Sequence, residues 1–255
     1  MKLAITTKQI AIIAIFAALY TVLRLMQTIP MIGVEGGKFS VSDVIAPIYG
    51  IVLGPYVGGA SVITGTFLAI AMGRPVTFLF LDFLPALVNC VALGFLMRGK
   101  WWPVVALNAI LLAGFILNPL TTIFITIGGV SIPFFWLHIV AFIVLVSPLG
   151  HRSGQWIQTL KPAKLAVGLT VFAFVGTMMQ HLTGNILTEA VMGYIVPTMT
   201  PAAFNGMWNL VFFTYPWERL ILIVLAAVVG IPLVRVLFKT SFFGLNKQAT
   251  EKNKN

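Results

Sequence analysis

Apolar residues gather into eight runs, at about residues 9–29, 44–53, 56–72, 76–97, 103–127, 132–149, 163–182 and 219–238, with the polar residues concentrated between them. A helix needs roughly 20 mostly apolar residues to cross the hydrocarbon core of a bilayer. The pattern therefore predicts an all-α, polytopic helical membrane protein with six to eight transmembrane segments. The run from Val44 is too short to span alone, and Gly54-Pro55 stops it, because proline lacks the amide hydrogen and disfavours helix in the residue before it. Irregular backbone at membrane depth survives only when buried in protein or facing a water-filled cavity. This segment is expected to line something. Between residues 183 and 216, Pro197, Pro201 and Pro216 punctuate the chain among Asn185, Asn205, Trp208 and Asn209, which predicts short helices at the outer surface, folded over a cavity. The polar stretch 246–255 reads as a disordered cytoplasmic tail that follows a single transmembrane domain over residues 1–245.

Composition agrees: 59% of the 255 residues are hydrophobic and 9% charged, against about 45–50% and about 25% in soluble domains. The 16 Lys and Arg against 6 Asp and Glu raise the question of a nucleic-acid partner. However, the basic residues form short clusters at the ends of apolar runs, the arrangement of topology signals, so the lipid bilayer and no nucleic acid is the expected partner. Lys2 and Lys8 before an apolar stretch have the outline of a signal peptide, but Arg24 closes the stretch with no clear cleavage site after it, so a retained first helix is expected. With a cytoplasmic amino end and eight crossings, the inner side receives Lys2, Lys8, Arg98, Lys100, Arg152, Lys161, Lys164, Arg235, Lys239, Lys247, Lys252 and Lys254, and the outer side only Arg24, Lys38, Arg74 and Arg219. That bias predicts both termini in the cytoplasm of a multi-pass protein of the cell membrane. Trp101, Trp102 and Trp156 then mark the inner interface, Trp208 and Trp217 the outer one. The same topology places Glu35, Asp43, Asp82, Glu189 and Glu218 outside and leaves only Glu251 inside. Cys90 is the sole cysteine, so no intrachain disulfide forms.

Signatures of soluble enzymes are missing: no phosphate-binding glycine loop, no metal-ligand pair of His or Cys, and no serine nucleophile elbow. No catalytic residue, metal or cofactor is predicted. Charged groups inside a bilayer cost about 2.5 to 3.5 kcal/mol at mid-helix, so those retained usually face a cavity or a partner. Arg24, Arg74, Asp82 and Asn89 fit that description, although Arg24 and Arg74 can also snorkel from helix ends to the headgroups. Asp43 starts the broken segment. His138, His151 and His181 are scattered along the chain, and only His181 has polar neighbours at helical spacing. His181, Asn185 and Glu189 share one face of a continuing helix, since offsets of four stack on one side. The alternative is a solvated outer helix end. Ala11, Ala14 and Ala18 give the first helix a smooth strip suited to close helix approach, within this chain or with another.

The stretch from Lys38 through Ser42-Asp43 and Pro47 to Leu53-Gly54-Pro55-Tyr56-Val57-Gly58-Gly59 resembles the substrate-binding S components of energy-coupling factor (ECF) transporters, with their Ser-Asp-hydrophobic-Pro opening and Leu-Gly-Pro-x-x-Gly turn. The Ala-x-x-x-Ala strip of the first helix and the ending from Tyr215-Pro216-Trp217-Glu218-Arg219 to Gly230-Ile231-Pro232-Leu233 agree. The resemblance covers about residues 9–98 and 215–238. It implies a non-enzymatic helical bundle that captures a vitamin or similar small-molecule ligand from outside, then passes it inward with a transmembrane coupling protein and cytosolic ATPase subunits. On this resemblance Ala14 and Ala18 face the coupling protein, and the loop over residues 27–42 gates the site. Family members commonly have six helices, so the eight runs counted here place an extra pair within residues 103–182.

A structural or accessory subunit of a larger membrane enzyme complex is the alternative, since shared fold does not fix function. The substrate-binding residues expected on the first reading are Arg24, Asp43, Arg74, Asp82, Asn89, His181, Asn185 and Glu189. Ala11, Ala14 and Ala18 are expected to bind the partner.

Overall fold

A computed structural model describes residues 6–30, 32 and 37–239. Glu35 and part of the expected gating loop, the terminal lysines Lys2, Lys247, Lys252 and Lys254, Glu251 and the tail 246–255 lie outside the described residues. Among the described residues, eight α-helices carry the fold: α1 (Thr7–Leu25), α2 (Ser42–Ala71), α3 (Leu84–Met97), α4 (Trp101–Ile116), α5 (Trp136–Val146), α6 (Pro148–Gln158), α7 (Pro162–Glu189) and α8 (Pro201–Lys239). Two small antiparallel hairpins, β1 (Gln27–Pro30) with β2 (Lys38–Ser40) and β3 (Phe124–Ile127) with β4 (Val130–Pro133), are the only sheets among the described residues. This is an all-α helical membrane protein. Among the described residues, four helices are by length and composition apolar enough to cross a bilayer, five if α5 and α6, bent by 64°, count as one span.

The short run at Val44 and the run after it form one hairpin-like element. Gly54 sits at φ 77°, ψ 178°, a region of backbone space open essentially to glycine alone, and there α2 folds back on itself. A Cβ on Gly58 would stand 2.9 Å from the Tyr49 carbonyl oxygen, whereas a continuous helix separates residues nine apart by roughly 13 Å. Every residue from Ser42 to Pro55 is buried, so the irregular turn is shielded by protein as the physics of lipid requires. Gly50 lets this arm lie directly against the backbone of α3 at Cys90, where any side chain would collide.

The fold-back brings both ends of α2 to one end of the bundle, beside the end of α1: Arg74 donates to the backbone oxygens of Arg24 and, at 2.7 Å, of Lys38. The opposite end is held by Trp101 Nε1 donating to Leu145 O at 2.9 Å and Gln158 Nε2 to Met97 O at 3.2 Å. Arg98, beside the Gly54 turn, Lys100, Arg152 and Lys161, on the segments joining α3 to α4 and α5 to α7, and Lys164, in the first turn of α7, gather there. Helices α2 and α7 are central, while α1 and α8 are peripheral and expose apolar residues such as Ile15, Val22, Phe213, Leu220 and Val228. Such a surface is at home in hydrocarbon rather than water.

Several elements differ from the sequence reading. Residues 183–216 are not a set of short surface helices: α7 runs on to Glu189 and continues as π-helical turns over Ala190–Ile195, and α8 runs unbroken from Pro201 through Pro216 and Pro232. Helix α3 starts only at Leu84, so the first part of the run 76–97 is loop. Residues 124–133 are the β3–β4 hairpin around Gly128-Gly129, with β4 falling at the start of the run 132–149. Trp208 is not an interface anchor. It is buried against Phe115 and Phe134 and donates to Leu120 O at 3.0 Å. Trp217 and Trp102, at 69% and 72% exposed, keep the accessible positions expected of interfacial rings.

Candidate functional site

The polar residues of the bundle converge at the end where α2 begins and ends. They line a cavity of about 940 Å³, open mouth included, bounded by α1, the β1–β2 hairpin, the loop before α3, α7 and α8. Arg24, Asp43, Arg74, Asp82, His181 and Asn185 all stand on its wall, joined from positions far apart in sequence.

Asp43 opens α2 in its first turn, where a carboxylate meets the positive end of the helix. Its Oδ2 accepts from Ser40 N at 2.9 Å, and its Oδ1 from Gln180 Nε2 at 2.8 Å. Gln180 Oε1 in turn accepts from Asn89 Nδ2 at 2.8 Å. A buried chain of hydrogen bonds thus ties the start of α2 to α7 and α3. Asn89 stands behind the wall rather than on it, and serves as the outer anchor of this chain.

Asp82 is not at mid-helix, as its apolar run suggested. It sits two residues before α3, where its oxygens accept from Thr77 N at 2.9 Å and Phe78 N at 3.1 Å. The carboxylate closes the turn through Leu79 and Phe80, both at positive φ. Arg24 Nη2 donates to the Asp82 carbonyl at 2.8 Å, so α1 is pinned to this loop. Arg24 is 6% exposed and turned inward. Arg74, in the loop after α2, is held below its ordinary pKa by burial first and by Arg24 second.

His181 and Asn185 share one face of α7, as their spacing predicts, and both line the cavity. Glu189, one step further on the same face, does not: its Oε1 accepts from Thr121 Oγ1 at 2.6 Å, outside the lining. The histidines prove less scattered than the sequence suggests. His138 Nε2 and His181 Nδ1 lie 3.1 Å apart in a stack completed by Tyr215, whose hydroxyl donates to Phe134 O at 3.0 Å. His151 stays apart, exposed beside Trp101.

The lining residues that the sequence reading did not assign to the site include Gln180 and Arg219. Gln180 is the central link of the hydrogen-bond chain, and its signal was an amide within an apolar run. Arg219 was counted as an outer charge, yet it is 2% exposed, lines the cavity, and has its guanidinium carbon over the Phe39 ring, 5.1 Å from the centroid. The cost of a charge inside an apolar run was the overlooked signal. Lys38 and Glu218 also line the cavity.

Among the described residues, no group of three or more His, Cys, Asp or Glu is placed to hold a metal ion. The arrangement is a partly open chamber in which many fixed polar and charged groups stand beside an apolar patch that includes Phe78, Met207, Trp208 and Val211, and a concave site with converging polar groups is where a small molecule binds. The class defined by fold and site is a helical membrane protein with a polar chamber at one end of its bundle. Comparison with protein-family models, with curated proteins and with solved structures returns no match to this chain.

Proposed function

We propose that this chain is the substrate-capture subunit, the S component, of an ECF-type importer for a vitamin or similar micronutrient. The observation that carries this reading is the placement of the chamber: costly polar groups are buried at the end of the bundle opposite the clustered cations Arg98, Lys100, Arg152, Lys161 and Lys164. By the positive-inside rule the cationic end faces the cytoplasm, so the chamber opens outward, as capture from outside requires. In this reading the protein resides in the cell membrane with both termini cytoplasmic, and it binds and transfers its ligand without chemical change.

The Leu-Gly-Pro turn that resembles the family forms the buried fold-back at Gly54, and the Ser-Asp opening forms the chamber's hydrogen-bonded rim at Ser40, Ser42 and Asp43. Ala11, Ala14 and Ala18 are exposed along α1, leaving the smooth strip open to a coupling protein, which would work with cytosolic ATPase subunits. Affinity purification from native membranes in mild detergent tests the proposal. Recovery of a transmembrane coupling protein with ATPase subunits is expected, and Ala14→Trp or Ala18→Trp should abolish it by filling the strip. Stoichiometric recovery within an unrelated membrane enzyme complex would favour an accessory-subunit role instead.

A further inference from the structure

We infer that the ligand of this chamber is an organic carboxylate, its anionic group gripped by the edge of Arg219 and its apolar body set against Trp208 and Phe78. This deepens, and rests on, the reading of the chamber as a capture site. Every buried side-chain polar atom of the lining that lacks a hydrogen-bond partner among the described residues is an N–H donor: Arg24 Nε, Asn185 Nδ2, and Arg219 Nε and Nη2. A buried donor left unmade is costly, so the chamber is short of acceptors, which an anionic ligand can bring.

The carboxylates already present do not fill this need. Asp43 and Asp82 are engaged by Ser40 N, Gln180, Thr77 N and Phe78 N. Glu218 Oε2 lies 3.6 Å from Arg219 Nη2, close enough for ion pairing but too long for a hydrogen bond. The lining holds four cationic side chains, Arg24, Lys38, Arg74 and Arg219, against three carboxylates. A cationic ligand would find most of the acid taken, while an anion finds charge and donors unspent.

Geometry narrows the class. Nε and Nη2 are the two parallel donors on one edge of a guanidinium, the fork that grips a carboxylate through both its oxygens. The guanidinium carbon of the same group lies over the Phe39 ring, an apolar contact that satisfies none of its N–H donors. Asn185 Nδ2, on α7, is a further donor for a neutral acceptor elsewhere on the ligand.

Thermal unfolding of the purified full chain in detergent, with benzoate and indole-3-acetate each compared with its primary amide, tests the inference. At least one acid should raise the melting temperature and its amide should not. Arg219→Gln should weaken the response to the acid by about ten-fold to over one-hundred-fold, the worth of hydrogen bonds to a charged group. With no probe present, Arg219→Met should melt at or above the wild type, because it removes an underpaired buried charge. The inference is overturned by equal responses to acid and amide, by no response to either acid, by an unchanged response in Arg219→Gln, or by an Arg219→Met protein that melts lower or fails to fold. A wild type that recovers ATPase partners yet prefers amides would end this inference and leave the capture role standing. Preference for acids without such partners would do the reverse.

Discussion

Gln180 Nε2 donates to Asp43 Oδ1 at 2.8 Å across 137 positions of sequence, and so fixes the start of α2 against the middle of α7. Gln180 also accepts from Asn89, so its amide is used on both sides. Replacing it with Leu strands a buried carboxylate oxygen and a buried amide together. The expected loss in stability is about 1.5 to 3 kcal/mol. Asn89→Leu, which ends one neutral bond, should cost about 1 kcal/mol. Denaturant or thermal unfolding of the two variants side by side checks the order, and the reverse order would contradict this account of the chain.

Asp82→Ala should lower stability and any ligand affinity together, since it frees the Thr77 and Phe78 amides and loosens the loop that Arg24 grips. Asp82→Asn, which keeps one acceptor oxygen, should recover part of both. Weakened binding at an unchanged melting temperature would instead make Asp82 a direct ligand contact.

Gly54→Ala forces a side chain into a backbone region worth about 1 to 3 kcal/mol of strain, with Arg98 Nη2 already 3.0 Å from the added carbon. Gly206→Ala is the control: its added carbon meets nothing within 4 Å, and alanine is the better helix former by up to about 1 kcal/mol. Comparable unfolding temperatures for the two variants would argue against a strained fold-back.

Part of this architecture was legible in the sequence, because lipid makes simple demands. The short apolar run stopped by Gly54-Pro55 had to be buried, and it is. Arg24, Arg74, Asp82 and His181 stood out because charge or polarity in an apolar run is expensive, and the chamber unites them. The rest was hidden by context. Pro216 was read as punctuation, yet a packed helix carries it as part of a longer element. The Gly128-Gly129 pair between alternating residues signalled the β3–β4 hairpin, but apolar content overrode it. Asn89 and Glu189 are both fully buried, yet neither stands on the chamber wall.

Topology is tested separately from the site. Reporter fusions after Lys100 and Lys161 should report cytoplasm, and fusions near Lys38 and Arg74 the outside. An outside signal at Lys161 would invert the chamber and remove it from the outer face.

Capture of a small molecule in the chamber, as proposed, can be blocked cleanly at Gly184. Gly184 lines the cavity, and a side chain added there meets nothing within 4 Å, so Gly184→Trp should fill the space without disturbing the helices. Native mass spectrometry of both proteins, purified gently from their own membranes, is the direct measurement. The wild type should carry one non-covalent small molecule per chain and Gly184→Trp none; a bare wild type, or the same adduct on both, would contradict the account.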